Sequence, residues 1–319
     1  MSRLLVAAFY AFVPLDQGQR EMLLAQLPIL AREGSVLGSV LLADEGVNGT
    51  ISGPKPGVDA LLEQLRQSLR LGDSHYERLE IKRSWADKPV FRRFKARSKR
   101  EIVTIGDGSV DPRASVGTYV DPKDWNALVD DPETLVIDAR NSYETSIGTF
   151  KGAIDPGTES FRDFPSWAEQ HLKPLLEENS QKRVAMFCTG GIRCEKASSF
   201  LQQQGFGEIH HLRGGILSYL EQVPEQQSRW LGECFVFDQR VALNHQLEPG
   251  RHSLCHACGF PVSPEQRALS SYIKGVQCVH CVDRFSDSDR QRFAMRQRQI
   301  DAAQQRESSP EINNNRALP

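Results

Sequence analysis

Apolar positions along the chain change period several times, and each change marks an element. Residues 4–13 form a nearly continuous apolar run that reads as a buried strand stopped at Pro14. Over 21–32 the period becomes helical, with Leu23, Leu24, Leu27 and Leu30 in one stripe. Residues 35–42 read as a strand, Gly46-Val47-Asn48-Gly49 as a turn, and Thr50-Ile51-Ser52 as the strand resuming. An amphipathic helix follows over 58–71, then strands over 79–82 and 90–95. Gly106, Gly108, Pro112 and Gly117 punctuate a connector at 106–118. Beyond it, helices at 124–129, 166–178, 194–204 and 216–221 alternate with strands at 135–137, 184–187 and 208–212. Residues 234–240 read as another strand. The stretch 283–306 is a polar helix whose one weak stripe pairs Phe293 with Ile300, and 307–319 has the composition of a disordered tail.

The order β-α-β-β-α-β over residues 1–105 predicts a ferredoxin-like α+β domain. The strict alternation over 119–228 predicts a parallel sheet covered by helices on both faces, with any site at the carboxyl ends of its strands. A third region, 229–306, carries the remaining cysteines. The whole is an α/β multidomain chain. No run of about 18 apolar residues exists, and the 4–13 run has neither the flanks nor the cleavage site of a signal peptide. The net charge of −2 gives no general pull toward nucleic acid, but its distribution does. Lys82, Arg83, Lys88, Arg92, Arg93, Lys95, Arg97, Lys99 and Arg100 are opposed only by Asp87, with Trp85, Phe91 and Phe94 between them. Basic residues interleaved with aromatics suit an RNA surface, while a solvated, lysine-protected strand edge is the plainer alternative.

The chemistry concentrates in Cys188-Thr189-Gly190-Gly191-Ile192-Arg193-Cys194. The cysteine sits at the tip of a strand, followed by a glycine-containing loop and a helix start. Such a loop aims backbone N–H groups inward, and the helix adds the positive end of its dipole. Both favour an anion, here the Cys188 thiolate or a charged group attached to it. Thr189, Gly190, Gly191, Ile192 and Cys194 form the cradle. Arg193 sets its field or makes a structural ion pair. No Gly-Lys-Ser/Thr follows, so this is no nucleotide-phosphate loop. Cys194 begins the helix, with a resolving thiol as the alternative. Four more of the seven cysteines form two knuckles, Cys255-x-x-Cys258 and Cys278-x-x-Cys281, with 19 residues between them. That spacing predicts a structural zinc site in a reducing, cytoplasmic compartment. His256 and His280 lie inside the knuckles and are left out of the ligand set.

Asp138-x-Arg140, Glu144, Gly152-Ala153, the Cys188 loop and Leu212-x-Gly214-Gly215 together resemble a rhodanese domain. Rhodanese-type sulfurtransferases have six residues in this loop, and related phosphatases have seven. Arg193 makes the pattern Cys-x4-Arg, which suits a sulfur-sized group such as a persulfide. With Ala43-Asp44-Glu45-Gly46-Val47-Asn48-Gly49 before it and Gly232-Glu233-Cys234-Phe235-Val236-Phe237-Asp238 and the knuckles after it, nearly the full chain resembles the bacterial rhodanese-domain-containing tRNA uridine(34) hydroxylases. The resemblance implies oxygen-dependent conversion of wobble uridine to 5-hydroxyuridine, with tRNA and molecular oxygen as substrates. The residues themselves leave two alternatives open: a sulfurtransferase that passes persulfide sulfur from Cys188 to tRNA or a thiol, and a non-catalytic RNA-binding scaffold. They name no electron donor: no dinucleotide-binding glycine motif occurs, and His75-x-Glu77 lacks a partner histidine for an iron triad.

Overall fold

The computed structural model describes residues 3–69, 79–178 and 181–308. His75 and Glu77, the end of the expected 58–71 helix and the tail beyond Ser308 lie outside the described residues. The chain divides into two compact units, one up to Gly250 and one from Arg251 onward.

The first unit opens with β1 (Leu4–Phe12), α1 (Gln17–Glu33), β2 (Leu37–Ala43), β3 (Gly46–Gly53), α2 (Lys55–Leu69), β4 (Glu80–Ala86) and β5 (Phe94–Ser98). Asp16 caps α1: its carboxylate accepts from Gln19 N at 2.8 Å, and Asp16 N donates to Gln19 Oε1 at 3.0 Å. The sheet order β4-β1-β3-β2-β5 is the expected ferredoxin-like arrangement with one strand added, β5, running parallel to β2. Alternation along β1 decides what each face does. Leu5, Ala7, Phe9 and Ala11 pack against Leu23 and Leu27 of α1 and Val58, Leu61 and Leu65 of α2. Val6, Ala8 and Tyr10 belong to the opposite face. The expected turn at 46–49 is instead already strand, and the chain reverses one step earlier, at Asp44-Glu45. Gly46 is there for close approach: a Cβ on it would stand 2.0 Å from the Ala11 carbonyl oxygen.

A parallel sheet follows, ordered β6-β10-β9-β7. Its elements are β6 (Thr118–Val120), α3 (Pro122–Val129), β7 (Thr134–Asp138), α4 (Ser142–Thr145), β8 (Gly148–Phe150), α5 (Phe164–Trp167), α6 (Lys173–Glu178), β9 (Arg183–Phe187), α7 (Ile192–Gln203), β10 (Glu208–Leu212) and α8 (Gly215–Gln222). The expected helix over 166–178 is present, starting two residues earlier and carrying a π-turn at Ala168–Leu172 in its middle. Both faces are covered, as the alternation requires. Leu135, Ile137, Val184 and Met186 enter one core, and Val136, Ala185 and Phe187 enter the other.

The boundary expected at residue 229 is not the structural one: β11 (Trp230–Gly232) pairs antiparallel with β8, so this stretch packs with the elements before it. The reason is Trp230, which is buried edge-on against Phe150 at 5.2 Å. The expected strand over 234–240 is only β12 (Cys234–Phe235), paired with β13 (Ala242–Leu243), and the chain between them turns. The second unit holds β14 (Ser253–Leu254), β15 (Pro261–Val262), α9 (Pro264–Arg267) and α10 (Asp287–Ser308). Ser286 caps α10 by accepting from Asp289 N at 3.2 Å. No helix among the described residues is long and apolar enough to cross a membrane.

Candidate functional site

Cys188 follows β9 directly, and α7 begins four residues later. Gly191 holds the turn between them at φ +104°, where a side chain would be strained; a Cβ would also press to 2.9 Å from the Tyr10 hydroxyl. Its N–H donates to Cys188 Sγ at 3.2 Å. Cys188 is 1% exposed. Burial pushes its thiol up, but the Cys194 thiol, the Arg193 charge and the N–H groups of Cys194 and Gly191 outweigh burial and bring it down to about 6. Burial and the adjacent Cys188 hold the Cys194 thiol well above its ordinary range, so the proton stays on Cys194 and the charge on Cys188.

Arg193 makes a two-pronged ion pair with Glu144, at 2.6 and 2.7 Å. Of the two roles read from sequence, the ion pair is thus present, and the charge still acts on Cys188. Glu144 is fully buried and also accepts from Asn141 N at 3.2 Å at the start of α4. Burial favours its neutral form, but Arg193 prevails and the carboxyl stays below its usual range. Beneath the loop, Arg140 Nε meets Asp138 Oδ1 at 2.8 Å, Thr149 Oγ1 donates to Asp138 Oδ2 at 2.9 Å, and the guanidinium stands 5.1 Å from the Trp230 ring centroid. Together these contacts brace the strand ends at Asp138 and Arg140.

The loop opens into a cavity of about 480 Å³. Cys188, Thr189, Gly190, Ile192 and Arg193 line one wall; Val6, Ala8, Tyr10 and Lys82, from β1 and β4, line another; Val236, Phe237 and Arg240 border it from the β12–β13 turn. Sequence reasoning missed the whole N-terminal contribution. Tyr10 donates to Glu195 Oε1 at 2.6 Å, on the helix that starts from the loop. Burial pushes the Glu195 carboxyl up to about 7, against hydrogen bonds from Tyr10 and Tyr119. Next to it, buried Lys196 bridges Glu45 and Glu101, each at 2.7 Å. One signal was available: Glu195 and Lys196 are charged residues on a helix that alternating patterning marks as covered on both sides.

The nine basic residues are not one patch. Lys82 and Arg83 lie on β4, and Lys95 and Arg97 on β5, the two outer strands of the sheet. Lys82 and Arg83 line the cavity, and Lys82 Nζ donates to Ser218 Oγ at 3.0 Å. Lys88, Arg92, Arg93, Lys99 and Arg100 are exposed near the opposite edge or in the connections.

In the second unit, the Sγ atoms of Cys255, Cys258, Cys278 and Cys281 all lie within 4.8 Å of one another. The separations of 3.9, 3.7 and 3.8 Å match the ~3.8 Å edge of a tetrahedron with 2.3 Å metal–sulfur bonds. Four thiolates in this arrangement can hold a metal ion. His280 is stacked on Phe260 at 4.2 Å and is absent from the cluster, as is His256.

Residues 4–102 match the model of the UPF0176 acylphosphatase like domain, and residues 121–222 that of the rhodanese-like domain. A curated tRNA uridine(34) hydroxylase of Synechococcus sp. (strain CC9605) is 78% identical over 95% of this chain and 93% of its own length. One of Parasynechococcus marenigrum (strain WH8102) is 76% identical over 94% of both chains. One of Prochlorococcus marinus (strain MIT 9313) is 57% identical over 93% of this chain and 94% of its own.

Proposed function

Because this chain belongs to the tRNA uridine(34) hydroxylase family, we propose that it is the enzyme that hydroxylates the wobble uridine of tRNA, replacing the hydrogen on uracil C5 by a hydroxyl in an oxygen-dependent reaction that uses Cys188. The observation that carries the reading is a cysteine whose sulfur accepts from the Gly191 N–H and opens into a cavity, in a chain alike over 95% of its length to an enzyme of that name.

Cys188 acts as the nucleophile. A thiolate that adds to uracil C6, the carbon conjugated to the C4 carbonyl, turns C5 into an electron-rich enolate carbon. C5 is the atom that must gain oxygen. The cradle N–H groups, Gly191 among them, hold the sulfur's charge before attack, and Arg193 adds a fixed positive field without leaving Glu144. Molecular oxygen is a substrate: one atom enters the C5 hydroxyl and the other leaves as water, the two electrons and two protons coming from an external two-electron reductant, and loss of the C5 proton then breaks the C6–sulfur bond and returns the Cys188 thiolate. The basic residues on β4 and β5 supply phosphate contacts. Zinc suits the four thiolates, where it would supply the core that the small second unit cannot build from side chains alone. A reducing cytoplasm fits the seven free cysteines.

The same cradle suits a persulfide, which keeps sulfur transfer as the second reading. Nucleoside mass spectrometry of tRNA from a deletion strain separates the two. Loss of 5-hydroxyuridine derivatives is expected, with return on wild-type but not Cys188→Ser complementation. Loss of thiouridines alone would sink the hydroxylase reading, and full rescue by Cys188→Ser would sink the nucleophile.

A further inference from the structure

Phe237 is a large aromatic residue left 59% exposed, yet nothing about its position is loose. It sits at the tip of the turn between β12 and β13. Val236 N donates to the Val241 carbonyl at 2.8 Å, closing that turn. Asp238 and Arg240, almost fully buried, pair inside it through contacts of 2.9 and 2.6 Å. Arg240 also donates to Ser84 Oγ of β4 at 2.8 Å, and Gln239 N donates to the Val90 carbonyl at 3.1 Å. Val241 is buried with φ +67°, a conformation β-branched residues avoid. A strained backbone, a buried ion pair and two tethers therefore hold one apolar ring unburied. Burial does not explain that expenditure, because the ring is not buried. Strain of this kind gathers where a side chain must be presented.

What the ring faces is the Cys188 cavity. Phe237 lines it, and the Arg193 guanidinium stands over its ring at 5.9 Å from the centroid. Phe235 supports the ring edge-on at 5.2 Å, and Tyr143, another lining residue, packs on Phe235 at 5.2 Å. A base buried in a helical stack cannot reach a sulfur at the bottom of a cavity; it must be turned out, and enzymes hold such bases by stacking on aromatic rings. Uracil offers a flat face, and the aromatic turn offers a matching one in the cavity that Cys188 also lines.

We propose that Phe237 is the stacking platform for the wobble uracil turned out of the anticodon loop, held rigid by the Asp238–Arg240 turn so that the base lies over Cys188. This rests on the tRNA reading above. Its role is to position the base, not to move a proton.

The test is a cycle between residue and base, read as the Kd of the full chain for two anticodon stem-loop RNAs. One carries uridine at the wobble position, and the other an abasic site there. Wild-type protein should prefer the intact RNA by about 5- to 150-fold, the range of base-on-aromatic stacking. Phe237→Leu should erase most of that preference by weakening the intact RNA alone, and Phe237→Trp should keep it. With substrate tRNA, Phe237→Leu should raise KM more than it lowers kcat. Equal weakening of both RNAs, or of neither, would overturn the assignment while leaving the tRNA reading in place. Wild-type protein that binds neither RNA would remove the tRNA reading and this assignment with it.

Discussion

Cys188 is a buried sulfur asked to carry a negative charge, and its surroundings decide whether it can. Burial alone would keep the thiol protonated; Cys194, Arg193 and the loop N–H groups reverse that and hold the group near 6 instead of its ordinary 9.0. The sign follows directly. The thiolate is scarce below about pH 6 and dominant above it, so reactivity that depends on it rises with pH and then levels. Alkylation of Cys188 by iodoacetamide, followed on its own peptide, should accelerate about tenfold from pH 5 to pH 7.5 and change little above. A rate still climbing steeply at pH 8–9 would mean an ordinary thiol and an ineffective cradle. The sequence showed the cysteine, the glycines and the arginine. It could not show that Arg193 is clamped by Glu144 from α4, because a charge 49 residues away has no local pattern.

At the scale of elements, β4 and β5 divide the basic stretch between the two edges of one sheet. The composition run was legible, but its shape was not, since strand order rather than chain order decides which charges are neighbours. Arg92, Arg93 and Arg97 are exposed at the β5 edge. Replacing all three with alanine should leave the melting temperature almost unchanged. The same variant should lower the slope of log Kd against log salt for tRNA by about 2–3, close to one phosphate contact for each residue lost. An unchanged slope would return these residues to the solvated-edge alternative. α7 illustrates a second limit. Its expected start at Cys194 lies two residues late, since the helix begins at Ile192 directly after the Gly191 turn, and its links to Tyr10, Glu45 and Glu101 arise only when two domains meet.

For the molecule as a whole, the two units owe their stability to different sources. The first buries continuous cores on both sides of its sheets, while the second gathers Cys255, Cys278 and Cys281 with Val262 into a cluster too small to order a fold without further help. Purified protein should contain about one equivalent of zinc, and a strong chelator should make the chain beyond Arg251 sensitive to protease while the Cys188 alkylation profile stays as it was. Metal well below one equivalent would remove the zinc assignment. The sequence by itself determined the ferredoxin-like order, the alternating parallel sheet, the Cys188 loop and the four-cysteine spacing, because each is written in periodicity or short spacing, while the rhodanese likeness of that sheet was carried by the resemblance of its motifs. Only the tertiary structure decided that β11 returns to β8, that Tyr10 and Lys82 wall the Cys188 cavity, and that Phe237 stands at its rim. Those facts depend on contacts between residues far apart in the chain, which burial and strand pairing select and local patterning does not record.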